Sequence, residues 1–286
     1  MKKSTFVGIF LGALAIFGAF IWEGGSLNSL IMLPAMLIVF GGTLAAGLAG
    51  TSFSHFSKLP LLIKTAINPK KNSPDDIINQ IIHLSQVARK EGILAVEPLL
   101  ANSMHPFLTK LFMVGIDGAN PDTLLKVADT EVQYVTERHN ANIHLFSKLG
   151  GYSPTMGIIG TVMGLIATLA AAGDNPIVLI QHISSAFIAT LWGIFMANIV
   201  WLPIADKLSY LHAEEMQIFQ LIVDGVHGVQ LGESPSVIRS KLISIFPLPK
   251  QFEILSHPTY SSYESGNNTQ TAVINDESQE IYVEIN

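Results

Sequence analysis

The 286-residue chain contains no cysteine, and only 13% of its residues are charged. The first absence excludes disulfides and thiolate metal sites and fits a protein that exposes little outside the cell. The second falls in blocks: residues 6–22, 30–49, 154–172 and 183–203 hold no Asp, Glu, Lys or Arg. With apolar residues at 49% and a positive mean hydropathy, the composition predicts a membrane protein rather than a soluble domain. Each block has the length of a spanning helix. The first follows Met1-Lys2-Lys3, as in a signal peptide, but no small-x-small cleavage site follows it and a second apolar block comes at once, so it is read as an anchor. Walker loops, zinc-ligand spacing, catalytic-triad patterns and internal repeats are also missing. An enzyme is therefore not expected, nor is a cofactor, a resident metal or a nucleic-acid partner.

What charge there is has a side. All 16 Lys and Arg lie at the N-terminus, between the second and third blocks, or after the fourth. The short connectors 23–29 and 173–182 have none. Because basic residues are retained on the cytoplasmic side, this predicts a multi-pass membrane protein with both termini inside. The expected divisions are spans one and two (1–50), a cytoplasmic helical domain (51–151), spans three and four (152–203), cytoplasmic C-terminal helices (204–256) and a disordered tail (257–286). The tail is predicted from its wealth of Ser, Asn, Thr, Gln and acids, which offer too little apolar surface to offset ordering.

Within the insert, Asn72-Ser73-Pro74-Asp75-Asp76 supplies a cap, a first-turn proline and acids at a helix's positive end. The spacing of Ile77, Ile78, Ile81, Ile82, Leu84 and Val87 gives that helix one apolar face, and Gly92 ends it. A second start at Asn120-Pro121-Asp122 predicts a helix running into span three. Span four continues inward to about Val229, and Ser234 caps a short helix from Pro235 to about Phe246.

The third block carries polar and small residues in a register. Gly157, Thr161, Gly164, Thr168 and Ala171 alternate steps of four and three and so form one narrow stripe. Span four has a counterpart at Ala186, Thr190, Gly193 and Ala197. Such stripes let helices approach closely, and ordinary packing, with each Thr hydroxyl bonded to its own helix, accounts for them equally well at this point. A cation crossing hydrocarbon normally needs an ionisable or carbonyl-rich site at depth. This chain has no carboxylate there, so a partner would have to bring it.

The strings YSPTMGIIGTVMGLI and AFIATLWGIFMANIVWLPIADKL resemble the third and fourth spans of the flagellar motor stator A subunits, the MotA/PomA family, related to TolQ/ExbB. SQVARKEGILAVEPLL resembles that family's rotor-facing segment, and TEVQYVTERHNANIHLFSKLGGYSP the helix leading into its third span. The resemblance covers about residues 1–245. It implies an all-α membrane protein with four transmembrane helices and a helical cytoplasmic domain between helices two and three. It also implies a ring of five copies, embedded in lipid, around two copies of a peptidoglycan-tethered B subunit whose single span carries an aspartate. Passage of a cation, sodium or proton, would turn the ring against the rotor's switch complex.

Several residues match the family's functional positions. Pro154 and Pro203 match the two prolines of the inner spans near the B-subunit aspartate, where the resemblance implies ion-pathway residues, a backbone carbonyl freed by each proline orienting the helix or contributing to the path. Thr161 and Thr190 match threonines that sodium-type members place by the ion, which favours sodium over proton, since hydroxyls and carbonyls are hard oxygen ligands. Arg89, Lys90 and Glu97 match charges presented to the rotor, where weak screened pairs steer without locking. Glu91, Glu131, Glu137 and Arg138 are lesser candidates, and His182 is expected at the surface. The stripe of span three is expected to face the partner's helix, with Ile158, Val162 and Leu165 against neighbours or lipid. Two rivals stand beside this reading: another motor subunit, either TolQ/ExbB-like, which four spans and the long insert disfavour, or gliding-type, which uses the same engine; and an uncoupled channel or scaffold.

Overall fold

The computed structural model describes residues 4–69, 73–171 and 176–256; the predicted disordered tail lies outside them. The described residues are helical throughout, with no strand. Helix α1 spans Ser4–Trp22, α2 Leu33–Ala49, α3 Phe53–Phe56, α4 Leu59–Ile67, α5 Pro74–Glu91, α6 Pro106–Ile116, α7 Pro121–Ala170, α8 Pro176–Gln230, α9 Pro235–Leu242 and α10 Leu248–Ser256. Three-ten turns fill Leu27–Leu30, Ile93–Asn102 and Ile243–Ile245.

Two of these helices dominate. The α7 helix runs 50 residues without a break, about 75 Å at 1.5 Å per residue, and α8 runs 55. The start of α7 follows from local chemistry: the Asn120 side chain accepts the Thr123 N–H at 2.8 Å, Pro121 occupies the first turn, and Asp122 sits at the positive end; α8 opens on Pro176. Both are long and apolar enough to cross a bilayer. Apolar stretches Phe6–Trp22 and Leu33–Ala49 are shorter, at about 25 Å against a hydrocarbon core of about 30 Å.

Beyond the apolar ends, α7 and α8 continue as paired stalks clad by α5, α6 and α9. The apolar face predicted for α5 packs there: Ile77, Ile78, Ile81, Ile82 and Leu84 are buried with Leu111, Phe112, Leu124, Phe219 and Ile222. Gly225 permits the approach, since a Cβ on it would lie 2.8 Å from Ile81 Cγ2. Gly92 ends α5 at φ +90°, which a residue with a side chain adopts only under strain. The α6 helix has no sequence cap of the usual kind; His105 Nδ1 accepts the Phe107 N–H at 3.2 Å instead. A second cluster of Phe146, Leu149, Ile204 and Ala205 with Leu59 and Ala66 seals the stalk tops. A third ties Leu30, Ala35 and Val39 to Ile188 and Ala189, and Trp192 Nε1 donates to the Leu30 carbonyl at 2.9 Å.

Helix α9 is shorter than predicted: Pro235–Leu242 is α-helical and Ile243–Ile245 winds more tightly. The helix that carries the fourth apolar block begins at Pro176 rather than near residue 183, because polar Gln181 and His182 do not break a helix. The π-helical turn Met196–Trp201 has a cause in Pro203, which cannot donate to the carbonyl four residues back and whose ring crowds it. A second π-helical turn, Leu37–Gly41, has no such proline, and we have no physical account of it.

The stalks are clamped by histidines. His139 Nδ1 and His212 Nδ1 lie 3.2 Å apart, one donating and one accepting, and the Glu215 carboxylate is 3.7 Å from His139 Nδ1. Burial holds both rings below the ordinary 6.5, helped at His139 by Arg138 and at His212 by His139 and opposed there by Glu215; His105, which also feels Glu215, is likewise lowered by burial. Below 6.5 the unfolded chain binds more protons than the folded one, so this contribution is complete above 6.5 and lost as pH falls through the depressed values. His139→Gln should lower the midpoint of thermal unfolding at pH 7.5 and flatten its fall between pH 7.5 and 5.5; an unchanged fall would assign the pH dependence to other groups.

Candidate functional site: the seam between the two long helices

The stripes predicted on spans three and four meet each other, antiparallel. A Cβ on Gly157 would lie 3.0 Å from the Ala189 carbonyl and 3.2 Å from Thr190 Cα; one on Gly193 would lie 2.8 Å from the Ser153 carbonyl. Farther along, a Cβ on Gly164 would lie 2.8 Å from Ala186 Cβ. Backbone meets backbone here, so no flexible side chain can yield. This corrects the expectation that the span-three stripe faces a partner's helix: its glycines face α8 of the same chain, because only glycine and alanine allow that separation. The opposite face, including Ile158, Val162 and Leu165, is about half exposed, as expected for a face left to neighbours or lipid.

Thr161 and Thr190 come together at the centre of the seam. Their hydroxyls are hydrogen-bonded to each other, and Thr161 Oγ1 lies 3.1 Å from the Gly157 carbonyl of its own helix and 3.2 Å from the Ala186 carbonyl across it. A hydroxyl has one proton. When Thr161 donates to a carbonyl, Thr190 donates to Thr161 and keeps its own lone pairs free. Thr168, by contrast, bonds only the Gly164 carbonyl one turn back, at 2.8 Å, the ordinary packing arrangement. The cluster thus gathers two hydroxyl and two carbonyl oxygens and no formal charge, fewer hard ligands than a dehydrated cation takes.

The prolines are not part of that cluster. Counting 1.5 Å per residue, Pro154 lies about 10 Å along α7 from Thr161, and Pro203 about 20 Å along α8 from Thr190, both toward the stalks. Each is half-buried within a continuing helix. His182, expected at the surface, instead has its Nδ1 buried without a partner.

Arg89 and Lys90 end α5, and Glu97 sits in the three-ten segment beyond the Gly92 corner; all three side chains are exposed. None forms an ion pair among the described residues. A Cβ on Gly115 would touch Ile93, so this corner lies at the α6 end near the start of α7, about 60 Å along that helix from Thr161. Of the lesser candidates, Glu91 is exposed, Glu131 is paired with Lys110 and Glu137 accepts from Gln133. Sequence reasoning missed the His139–His212 clamp, whose members are 73 residues apart, and the buried hydroxyls of Thr43 and Ser153.

The seam's tight fit generates a prediction. Gly193→Val inserts methyls against the Ser153 carbonyl and should destabilise the inner pair by about 1–3 kcal/mol, the usual overpacking cost. Thermal unfolding in detergent measures it, and a midpoint unchanged from the parent would mean the helices separate without loss.

Comparison with known proteins agrees with this architecture. Residues 96–221 match the model of the MotA/TolQ/ExbB proton channel family, and residues 6–92 that of the Motility protein A N-terminal region. Motility protein A of Bacillus subtilis is 32% identical over 248 residues, covering 86% of this chain and 92% of its own. Chemotaxis protein PomA of Vibrio alginolyticus is 32% identical over 242 residues, covering 85% and 94%. Among solved structures, the flagellar MotAB stator complex of Bacillus subtilis aligns with a TM-score of 0.82 at 30% identity, over 88% of this chain and 98% of that one. The C. jejuni MotAB structure gives 0.81 at 26%, over 87% and 97%. These are channel and motor components rather than enzymes, and the match to the Motility protein A N-terminal region sets the chain in the flagellar branch. The chain belongs to the MotA/PomA family of inner-membrane flagellar motor stator subunits.

Proposed function

We propose that this chain is the ring-forming A subunit of an ion-driven flagellar stator, spanning the inner membrane four times with both termini in the cytoplasm, and that it works with a B-type subunit that brings the ion-binding carboxylate. The observation that carries the reading is the Thr161–Thr190 cluster in a seam that has oxygens but no acid. Residues 154–172 and 176–203 contain no Asp, Glu, Lys or Arg. A cation held there would still lack a counter-charge, and an aspartate on a partner's single span meets that need. The exposed apolar face of α7, turned away from the seam, is left to neighbouring copies or lipid. Five copies around two B subunits is the assembly that the family resemblance implies.

Sodium is the ion we favour. Two hydroxyls and two carbonyls are hard ligands that repay part of the dehydration of a small cation, whereas a proton needs only the carboxylate and a water chain. Arg89, Lys90 and Glu97, exposed and unpaired at the Gly92 corner, serve as the rotor-facing charges; screened pairs of both signs register a moving surface without arresting it.

The experiment is rotation of tethered cells that lack their own stators and express this chain with its cognate B subunit, with external sodium varied at fixed pH and membrane potential. Speed should rise with sodium; rotation indifferent to sodium would keep the motor and make the proton its ion. Thr161→Ala removes one ligand, and a loss of about 1.4 kcal/mol corresponds to a tenfold higher sodium concentration for half-maximal speed. Normal torque at low sodium in that variant would take Thr161 out of the ion path. Reversing both Arg89 and Glu97 should slow rotation with the complex intact in detergent, whereas loss of assembly would make the two residues structural.

A further inference from the structure

Thr43 and Ser153 are 1% and 0% exposed, and neither hydroxyl has a hydrogen-bond partner. Buried hydroxyls are rarely left so, and at membrane depth bulk water cannot satisfy them. The helix register brings the two together. A Cβ on Gly42 of α2 would meet the Met156 side chain of α7, and one on Gly47 would meet Leu149. Thr43 adjoins the first contact, and Ser153 lies between Leu149 and Met156. Both therefore sit at one level of the bundle, where α8 also closes in, since the Ser153 carbonyl lies against Gly193.

The next residue supplies a third polar group. Pro154 has no N–H to give the Gly150 carbonyl one turn earlier, so two hydroxyls and an under-satisfied carbonyl occupy the same stretch of a seam lined by small residues. An internal water characteristically makes about three hydrogen bonds to polar groups that would otherwise go unpaired. We propose that Thr43 Oγ1 and Ser153 Oγ, with the Gly150 carbonyl, hold a buried water between α2 and α7, about 12 Å from Thr161 along α7 on the stalk side. The ligand class is water. Neutral hydroxyls and one carbonyl suit it, and the absence of any acid in residues 30–49 and 154–172 disfavours a resident cation there. On the motor reading above, on which this last step rests, the water is a fixed point of hydration on the inward side of the threonine cluster.

A double-mutant cycle on the complex of this chain with its B subunit tests the site without relying on rotation. Thr43→Val and Ser153→Ala each remove one partner of a shared water and leave the others short. Each should lower the midpoint of thermal unfolding, and the double variant should fall no further than the worse single. Midpoints that are unchanged or raised in the singles, and additive in the double, would overturn the proposal, because hydroxyls without a shared partner are no worse for being removed. Electron-density maps of the complex at water-resolving resolution give the second measurement. A peak within hydrogen-bond distance of both hydroxyls is expected, and the two hydroxyls bonded directly to each other or to their own helices with no peak between them would overturn it. The two readings fail separately: a motor that turns with no water here refutes this site alone, and a water in a complex that neither turns nor conducts refutes the motor reading alone.

Discussion

Everything in this molecule hangs on the approach of two backbones. Where α7 and α8 cross, Gly157 lies against the Ala189 carbonyl and Gly193 against the Ser153 carbonyl, with no room for one added methyl. Dispersion between close-packed atoms is the main attraction open to helices in lipid, where burial of apolar surface gives no advantage. The seam also fixes what lies beyond the membrane, because each helix continues unbroken into its stalk. Rotation of one helix at Gly157 would carry through to the Leu124–Ile222 core of the cytoplasmic domain and to the Arg89 corner. In the proposed motor that continuity would carry a small event at the threonines to the corner about 60 Å away.

The same closeness sets the electrostatics. Packed this tightly, the seam offers only groups that small side chains and backbones possess: hydroxyls and carbonyls. These orient and partly dehydrate a cation but do not neutralise it. In the proposed stator a carboxylate borrowed from another chain would resolve the conflict, since an acid carried by this chain itself would be a buried charge whenever the partner was away. On this view the A subunit is a preorganised set of neutral oxygens and the B subunit a single mobile counter-charge.

Much of the scaffold was legible in the sequence because it rests on local rules. Asn120-Pro121-Asp122 and Ser234-Pro235 mark helix starts where the helices start, Gly92 ends α5, and the isoleucine spacing of α5 names its buried face. The stripes were legible as stripes but not in their orientation. Gly157 and Gly193 announce a close approach without saying to which helix, and the neighbour proved to be in the same chain. The prolines matched a family pattern, yet α7 and α8 carry Pro154 and Pro203 well away from the threonine pair. What stayed hidden is long-range: the His139–His212 clamp and the level shared by Thr43 and Ser153 depend on register between helices, which no local pattern encodes. The His105 cap was missed for another reason, since imidazole nitrogen is an unusual acceptor at that position.

The measurement that bears most directly on the central claim is sodium uptake into proteoliposomes holding this chain alone, this chain with its cognate B subunit, and this chain with a B subunit whose transmembrane carboxylate is replaced by an amide. The account predicts uptake only from the intact pair, because the seam supplies oxygens and the partner supplies the charge. Uptake by this chain alone, or by the pair carrying the amide, would contradict it.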